Sequence, residues 1–314
     1  MALRLDVQYR GDLSSCNYRC HYCPFALAKD SAATLQRDYA GLQRFVDWID
    51  RQDHRRFRVS FTPWGEALIR RPYRDAVVRL SQTSHVERVV VQTNLSGPLE
   101  FLAECDRNTV ALWCTFHPTQ TTAGAFLDRC AKLDGLGVRY SVGAVGIQED
   151  LTKIEHLRAH LPDHVYLWIN AFKRIDDYYQ AADLARLEAI DPLVRWNLHP
   201  HHSRGRTCRT GDTAFSVDAR GDVRRCHFVG DVLANLYDGT IESALRPRTC
   251  PNDVCRCYIG YIHLDDLGLD RVYGEGLIER IPSEWPLPGR DAHHDPVAGR
   301  PPVPVGERVE HREL

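Results

Sequence analysis

The sequence predicts an α/β protein: a parallel sheet curled into part of a barrel, followed by a small cysteine-bearing α+β module. Three observations predict it. Short β-like runs alternate with helical patterns six times between residues 5 and 195. Such alternation builds βα units, which assemble into a parallel sheet. Near residue 197 the texture changes to NLHPHHSRGRT, which is polar, basic and aperiodic. Beyond it, five cysteines crowd residues 208–257 among short strands and turns.

The elements follow in order. Residues 5–9 read as a first strand, and 34–52 as a helix with Leu42, Phe45, Val46 and Ile49 on one face. FRVSF at 57–61 alternates as a second strand, with a helix at 72–82. Residues 89–91 give a third strand ending at Thr93-Asn94, and 110–116 a fourth. A helix over 122–135, a strand over 138–145 and a helix over 151–160 come next. A sixth strand at 165–169 and a helix at 177–190 complete the series. The fold is therefore a partial (β/α)6 barrel of TIM-like type over residues 1–196. Residues 197–265 form the small module, and 266–285 an extension that is partly apolar. From 286 to 314 the chain is rich in Pro, Gly and charge, the composition of a flexible tail.

Composition narrows the function. The formal net charge is −2, so nothing global points to nucleic acid or an anionic membrane. No apolar run approaches the roughly 20 residues that span a bilayer. The start, MALRLDVQYR, lacks the apolar core of a secretion signal. A cytoplasmic protein is expected. Eleven cysteines are many, and their odd number forbids complete internal pairing. They cluster as Cys16, Cys20, Cys23 and as Cys208, Cys226, Cys250, Cys255, Cys257. Two tight groups that far apart predict two metal sites. Cys105, Cys114 and Cys130 stand apart and read as buried core thiols.

In parallel barrels the chemistry sits on the loops that follow the strands. The first group, CNYRCHYC, lies on the loop after strand one. Three thiolates at C-x3-C-x2-C can hold three irons of a four-iron cubane and leave the fourth iron open. Tyr22 before the last cysteine offers an aromatic face. A zinc site of the three thiolates plus His21 is the alternative.

This spacing, with the aromatic before its last cysteine, resembles the signature of the radical S-adenosylmethionine (radical SAM) superfamily. The resemblance implies a [4Fe-4S] cluster on Cys16, Cys20 and Cys23. It implies S-adenosylmethionine chelated at the open iron and cleaved by one electron to a 5′-deoxyadenosyl radical, which abstracts hydrogen from a substrate. An electron donor such as flavodoxin or ferredoxin is implied too. Further matches fall at successive strand ends. Thr62-Pro63-Trp64-Gly65-Glu66-Ala67 resembles the family's G-G-E-P segment, with Trp64 and Ala67 departing from it. Gly65 would allow close backbone approach, and Glu66 would accept from the S-adenosylmethionine ammonium. Gln92-Thr93-Asn94 resembles the T-N-G strand end, and Asn94 is a ligand contact or a loop cap. Gly146-Ile147-Gln148-Glu149 resembles the end of the G-x-I-x-G-x-x-E motif near the adenine, although Val142 replaces its first Gly.

Cys208, Gly221 and Cys226 resemble the C-x(9–15)-G-x4-C opening of the SPASM and twitch extensions of that superfamily. There a hairpin carries two ligands of an auxiliary cluster. Gly221 permits the tight turn. The resemblance implies a second [4Fe-4S] cluster of the smaller, twitch type, with Cys250, Cys255 and Cys257 competing for the remaining places. A structural zinc on four thiolates is the alternative.

Strand ends also offer Trp113, His117, Asn170, Lys173 and Arg174 to a substrate. His117 is a candidate acid or base, and Lys173 a candidate anion-binding or catalytic group. His199, His201 and His202 read as a solvated stretch. Only 15 residues precede Cys16, which tilts the expectation toward oxidation of a small molecule. The alternatives are maturation of a ribosomal peptide and a non-catalytic iron–sulfur or zinc protein. RNA modification is disfavoured by the near-neutral charge.

Overall fold

The computed structural model describes residues 3–23 and 28–286, so all of the expected tail except Pro286 lies outside the described residues. Six parallel strands form its centre: β1 (Arg4–Tyr9), β2 (Arg56–Phe61), β3 (Val86–Thr93), β4 (Val110–Phe116), β5 (Arg139–Gly146) and β6 (Leu167–Ala171). They pair in chain order, with Val7 beside Val59 and Val59 beside Val89. Helices α1 (Ala32–Asp50), α2 (Arg71–Ser81), α3 (Ala123–Leu136), α4 (Leu151–His160) and α5 (Ala181–Ile190) supply crossovers and the outer cover.

Local chemistry sets the helix ends. Ser31 caps α1 by accepting from the Thr34 N–H, and Thr122 caps α3 through the Ala125 N–H. Gly137 closes α3 in the left-handed region at φ 66°. Helix α5 begins at Ala181, four residues later than its periodicity predicts. Asp177 has φ 53°, which breaks the helix, and a capping box between Gln180 and Asp183 starts it instead.

Both faces of the sheet are buried, as parallel sheets require. Leu5, Val7, Phe57, Val59, Val89 and Leu112 face the helices in the larger core. Cys105, Cys114 and Cys130 are buried in that core too, as their isolation predicts. Alternate residues Val90, Ala111, Trp113 and Trp168 face the concave side.

The sheet is open. Its nine strands end at β6 on one edge and at Val232–Asn235 on the other. The strand Ala214–Val217 pairs parallel to β1, and the hairpin strands Asp222–Arg224 and Val232–Asn235 continue from it. The cysteine-bearing hairpin thus extends the barrel sheet directly. The concave face is filled by the C-terminal segment: Tyr258, Tyr261, Leu269, Tyr273 and Leu277 pack on the inward strand residues. Trp113 meets Trp168 edge-on at 5.3 Å and Tyr258 at 5.5 Å. Each such pair contributes roughly 0.5–1.5 kcal/mol beyond area burial. Arg280 lies between the Trp168 and Tyr258 rings, 4.3 Å from each.

Two ionic contacts fix the lower half of this interior. Arg58 donates twice to Asp6, both bonds at 2.6 Å, with the pair almost fully buried. Burial pushes the Asp6 carboxyl up, but Arg58 outweighs it and the net shift is downward. The Glu279 carboxylate, fully buried, lies 3.0 Å from Arg139 at the start of β5 and 3.4 Å from Arg88. The polar stretch around 197–207 corrects the expectation of a solvated linker. Asn197 is fully buried, and residues 201–202 pair with 254–255. His201 is half-buried, with Nε2 at 2.8 Å from the Trp196 carbonyl. Among the described residues no helix is long and apolar enough to cross a membrane.

Candidate active site

The loop after β1 carries Cys16, Cys20 and Cys23 at the C-terminal end of the sheet. Three braces shape it. Asp30 accepts from the Ser14 and Ser15 N–H groups at 2.9 and 2.7 Å. Asp38 accepts from the Leu13 N–H and the Tyr73 hydroxyl, both at 3.1 Å. The loop after β2 docks from the other side: Gly65 N–H donates to Leu13 and Glu66 N–H to Ser15, each at 3.2 Å. A Cβ at residue 65 would fall 2.1 Å from the Ser15 carbonyl oxygen, so only glycine allows this approach.

Glu66 is 3% exposed. Its Oε1 accepts from the Leu68 N–H and the Thr93 hydroxyl at 2.9 and 2.7 Å, and its Oε2 from the Asn94 N–H at 2.6 Å. The carboxylate therefore ties the ends of β2 and β3 together, with both oxygens engaged. Burial pushes its pKa up against the pull of those bonds. The Asn94 side chain reaches the first cysteine, with Nδ2 3.6 Å from Cys16 Sγ and 3.1 Å from Asn17 Oδ1.

A tight turn joins the other two cysteines, with Cys23 N–H donating to the Cys20 carbonyl at 3.0 Å. Burial lifts Cys20 to about 11, and the neighbouring Cys23 and Cys16 thiols add to the rise. Burial also pushes the Cys16 thiol up, with Glu66 and Cys23 adding to the rise.

Tyr22 is 7% exposed, stacks on His117 (5.9 Å between centroids, 20°) and lies 2.8 Å from its Nδ1. Burial lowers His117 to about 4, so the ring is neutral at ordinary pH. Burial also raises the Tyr22 hydroxyl, which keeps its proton. Ile147, from the segment after β5, packs with Cys20 and Tyr22, and Phe172 joins them. Tyr179 donates to the Gly146 carbonyl at 2.6 Å. Glu149 is exposed, and its one recorded bond is a 3.4 Å contact from Tyr178. The structure so brings together Tyr22, His117, Ile147 and Phe172 beside Cys20 and Cys23. Asp30, Asp38, Ile147 and Phe172 carry no spacing signal in the sequence.

The late cysteines meet elsewhere. Cys208, Cys226, Cys250 and Cys255 line one cavity of about 180 Å³ together with Thr210 and Arg225. About 10–15 Å³ suffices to admit a water, so this space has room for a group of several atoms. Among the described residues no three ligating side chains converge on one metal point. Cys226 and Cys255 are lifted to about 12, first by burial and then by neighbouring thiols. Cys257 is not among the lining residues. Burial pushes its thiol up against the pull of Arg10, Lys173 and Arg280, and it adds to the rise of Cys226 and Cys255.

Polar side chains also stand at the ends of β1 and β6. Arg10 donates from Nε to the Thr62 carbonyl at 2.9 Å, and Gln8 donates to the Thr62 hydroxyl at 2.6 Å. His227 Nδ1 lies 3.1 Å from Gln8 Oε1. Lys173 Nζ donates to the Asn197 carbonyl and side-chain oxygens at 2.7 and 2.6 Å, and burial lowers it to about 8. Asn170 is exposed at the end of β6.

The chain's fold is similar to that of anSMEcpe. A structure of hexahistidine-tagged anSMEcpe with bound AdoMet superposes with a TM-score of 0.52 at 16% identity, covering 77% of this chain and 80% of that one. Native anSMEcpe with bound AdoMet gives 0.53 at 13%, covering 76% and 80%. Native anSMEcpe with bound AdoMet and Kp18Cys peptide gives 0.52 at 12%, covering 77% and 80%. No family model and no curated protein matches the sequence.

Proposed function

We propose that this chain is a radical SAM enzyme that abstracts hydrogen from a small-molecule or peptide substrate in a net oxidation. The observation that carries the reading is the braced C-x3-C-x2-C loop at the C-terminal end of β1, with Asn94 against Cys16 and Tyr22 against His117. AdoMet bound in the structurally similar protein supports it.

In this reading Cys16, Cys20 and Cys23 hold three irons of a [4Fe-4S] cluster. When bound, the cluster would supply the electron that splits S-adenosylmethionine and so generates the 5′-deoxyadenosyl radical. The chain's own residues position and shield. Gly65 and Glu66 hold the loop in place by their backbone bonds. Tyr22, Ile147 and Phe172 offer an apolar slot for the adenine, and neutral His117 fixes the tilt of Tyr22. Cys208, Cys226, Cys250 and Cys255 would hold a second cluster, which would supply one-electron redox chemistry. Gln8, Arg10, Asn170 and Lys173 line the substrate mouth between the two. A flavodoxin or ferredoxin would deliver electrons.

The test is anaerobic reconstitution with iron and sulfide, then incubation with dithionite and S-adenosylmethionine. The wild type forms 5′-deoxyadenosine, and variants with Cys16, Cys20 and Cys23 each changed to Ala form none. A product yield that survives loss of any of these three thiols overturns the proposal.

A further inference from the structure

The wall of the second cysteine cavity contains a buried cation without a carboxylate partner. Arg225 is 5% exposed. Its Nε and Nη2 donate to the Thr210 hydroxyl, both at 3.4 Å. The remaining bonds run to the Thr249 and Arg248 carbonyls. Among the described residues no acid pairs with it. A buried guanidinium served by neutral acceptors alone is costly unless an anion lies close by. Thr210, also 5% exposed, places its hydroxyl 3.1 Å from Cys208 Sγ. Arg225 occupies the lone pairs of that oxygen, so its hydrogen is free to point at the sulfur. A ligating thiolate has no proton to give, which fixes the hydroxyl as the donor.

We propose that Arg225 and Thr210 act as positioning residues that raise the reduction potential of the auxiliary iron–sulfur centre, through a hydrogen bond from Thr210 to the Cys208 sulfur. The inference rests on the reading of this cavity as a cluster site. Four thiolates give the centre negative charge, and reduction adds one more. A bond to a ligand sulfur and a nearby cation both favour the more negative state. Burial strengthens both effects, because little water screens them. The arrangement is built: the hairpin that contributes Cys226 also contributes Arg225, and the segment that contributes Cys208 contributes Thr210.

The experiment compares midpoint potentials of both centres in the anaerobically reconstituted full chain, read by electron paramagnetic resonance at set potentials. Thr210→Val keeps the side-chain volume and removes the donor. It is expected to cut the reduced-to-oxidised ratio of the auxiliary centre about tenfold at fixed poise, ~59 mV for a one-electron couple. Thr210→Ser restores the wild-type potential, Arg225→Gln lowers it at least as far as Thr210→Val, and the first centre does not move in any of them. An unchanged auxiliary potential in Thr210→Val with full iron content overturns the inference and leaves the cluster reading intact. Zinc in place of the second complement of iron in the wild type overturns that reading and this inference with it. Should Arg225→Gln fail to fold, the Thr210→Val and Thr210→Ser pair decides the matter alone.

Discussion

Asn94 and Cys257 show how single side chains divide the work of the two cysteine groups. The Asn94 amide lies against Cys16 although 78 residues separate them. Cys257 sits two residues beyond Cys255, yet four other thiols line the cavity without it. Changing Cys208, Cys226, Cys250 or Cys255 to Ala is therefore expected to remove about four of about eight irons. Cys257→Ala keeps the full complement. Iron and sulfide counts on the reconstituted protein check this, and a halved count in Cys257→Ala contradicts the assignment. The sequence made the cysteines legible because local spacing alone places three thiols on one loop. It could not choose among the last three, since that choice depends on which way a short segment turns against the hairpin. Asp30 and Asp38 were invisible for a similar reason. An acid that braces a loop looks like any surface acid until the loop folds over it.

At the scale of elements, the strand–helix rhythm read from the chain corresponds to the six parallel strands. Strand β3, Val86–Thr93, runs longer than its apolar centre because half-buried Arg88 and Gln92 flank Val90 on one face. The meeting of loops was less legible than the strands. Gly65 carries the approach of one loop to another, and its neighbours departed from the expected motif. Gly65→Ala must move either the Ser15 carbonyl or the whole loop, at a cost of roughly 1–3 kcal/mol. A lower melting temperature and reduced iron at the first site are expected, with the auxiliary centre retained. Full iron uptake at an unchanged melting temperature would show that the loops do not touch there.

The whole molecule depends on its filled concave face, which neither periodicity nor composition announced. Residues 266–285 read only as a partly apolar extension, yet Leu269, Tyr273 and Leu277 supply part of the inner core. Buried beside them, His263 is lowered to about 3, chiefly by burial and then by Arg209. A buried neutral histidine makes stability depend on acid. Above the unfolded value of about 6.5 neither state holds the proton, and stability is complete. As the pH falls from there toward about 3, the unfolded chain takes up a proton that the folded chain refuses. Between pH 7 and pH 5 this costs about 2 kcal/mol from His263. Denaturant midpoints across that range should fall in the wild type and fall less in His263→Asn; equal slopes would contradict the assignment. The pairing of Ala214–Val217 with β1 has one more consequence. Hydrogen bonds of one sheet run from the strand before the first cysteine loop to the hairpin that carries Cys226. At a fixed separation, an electron passing from one to the other would move at a rate set by driving force and reorganisation energy.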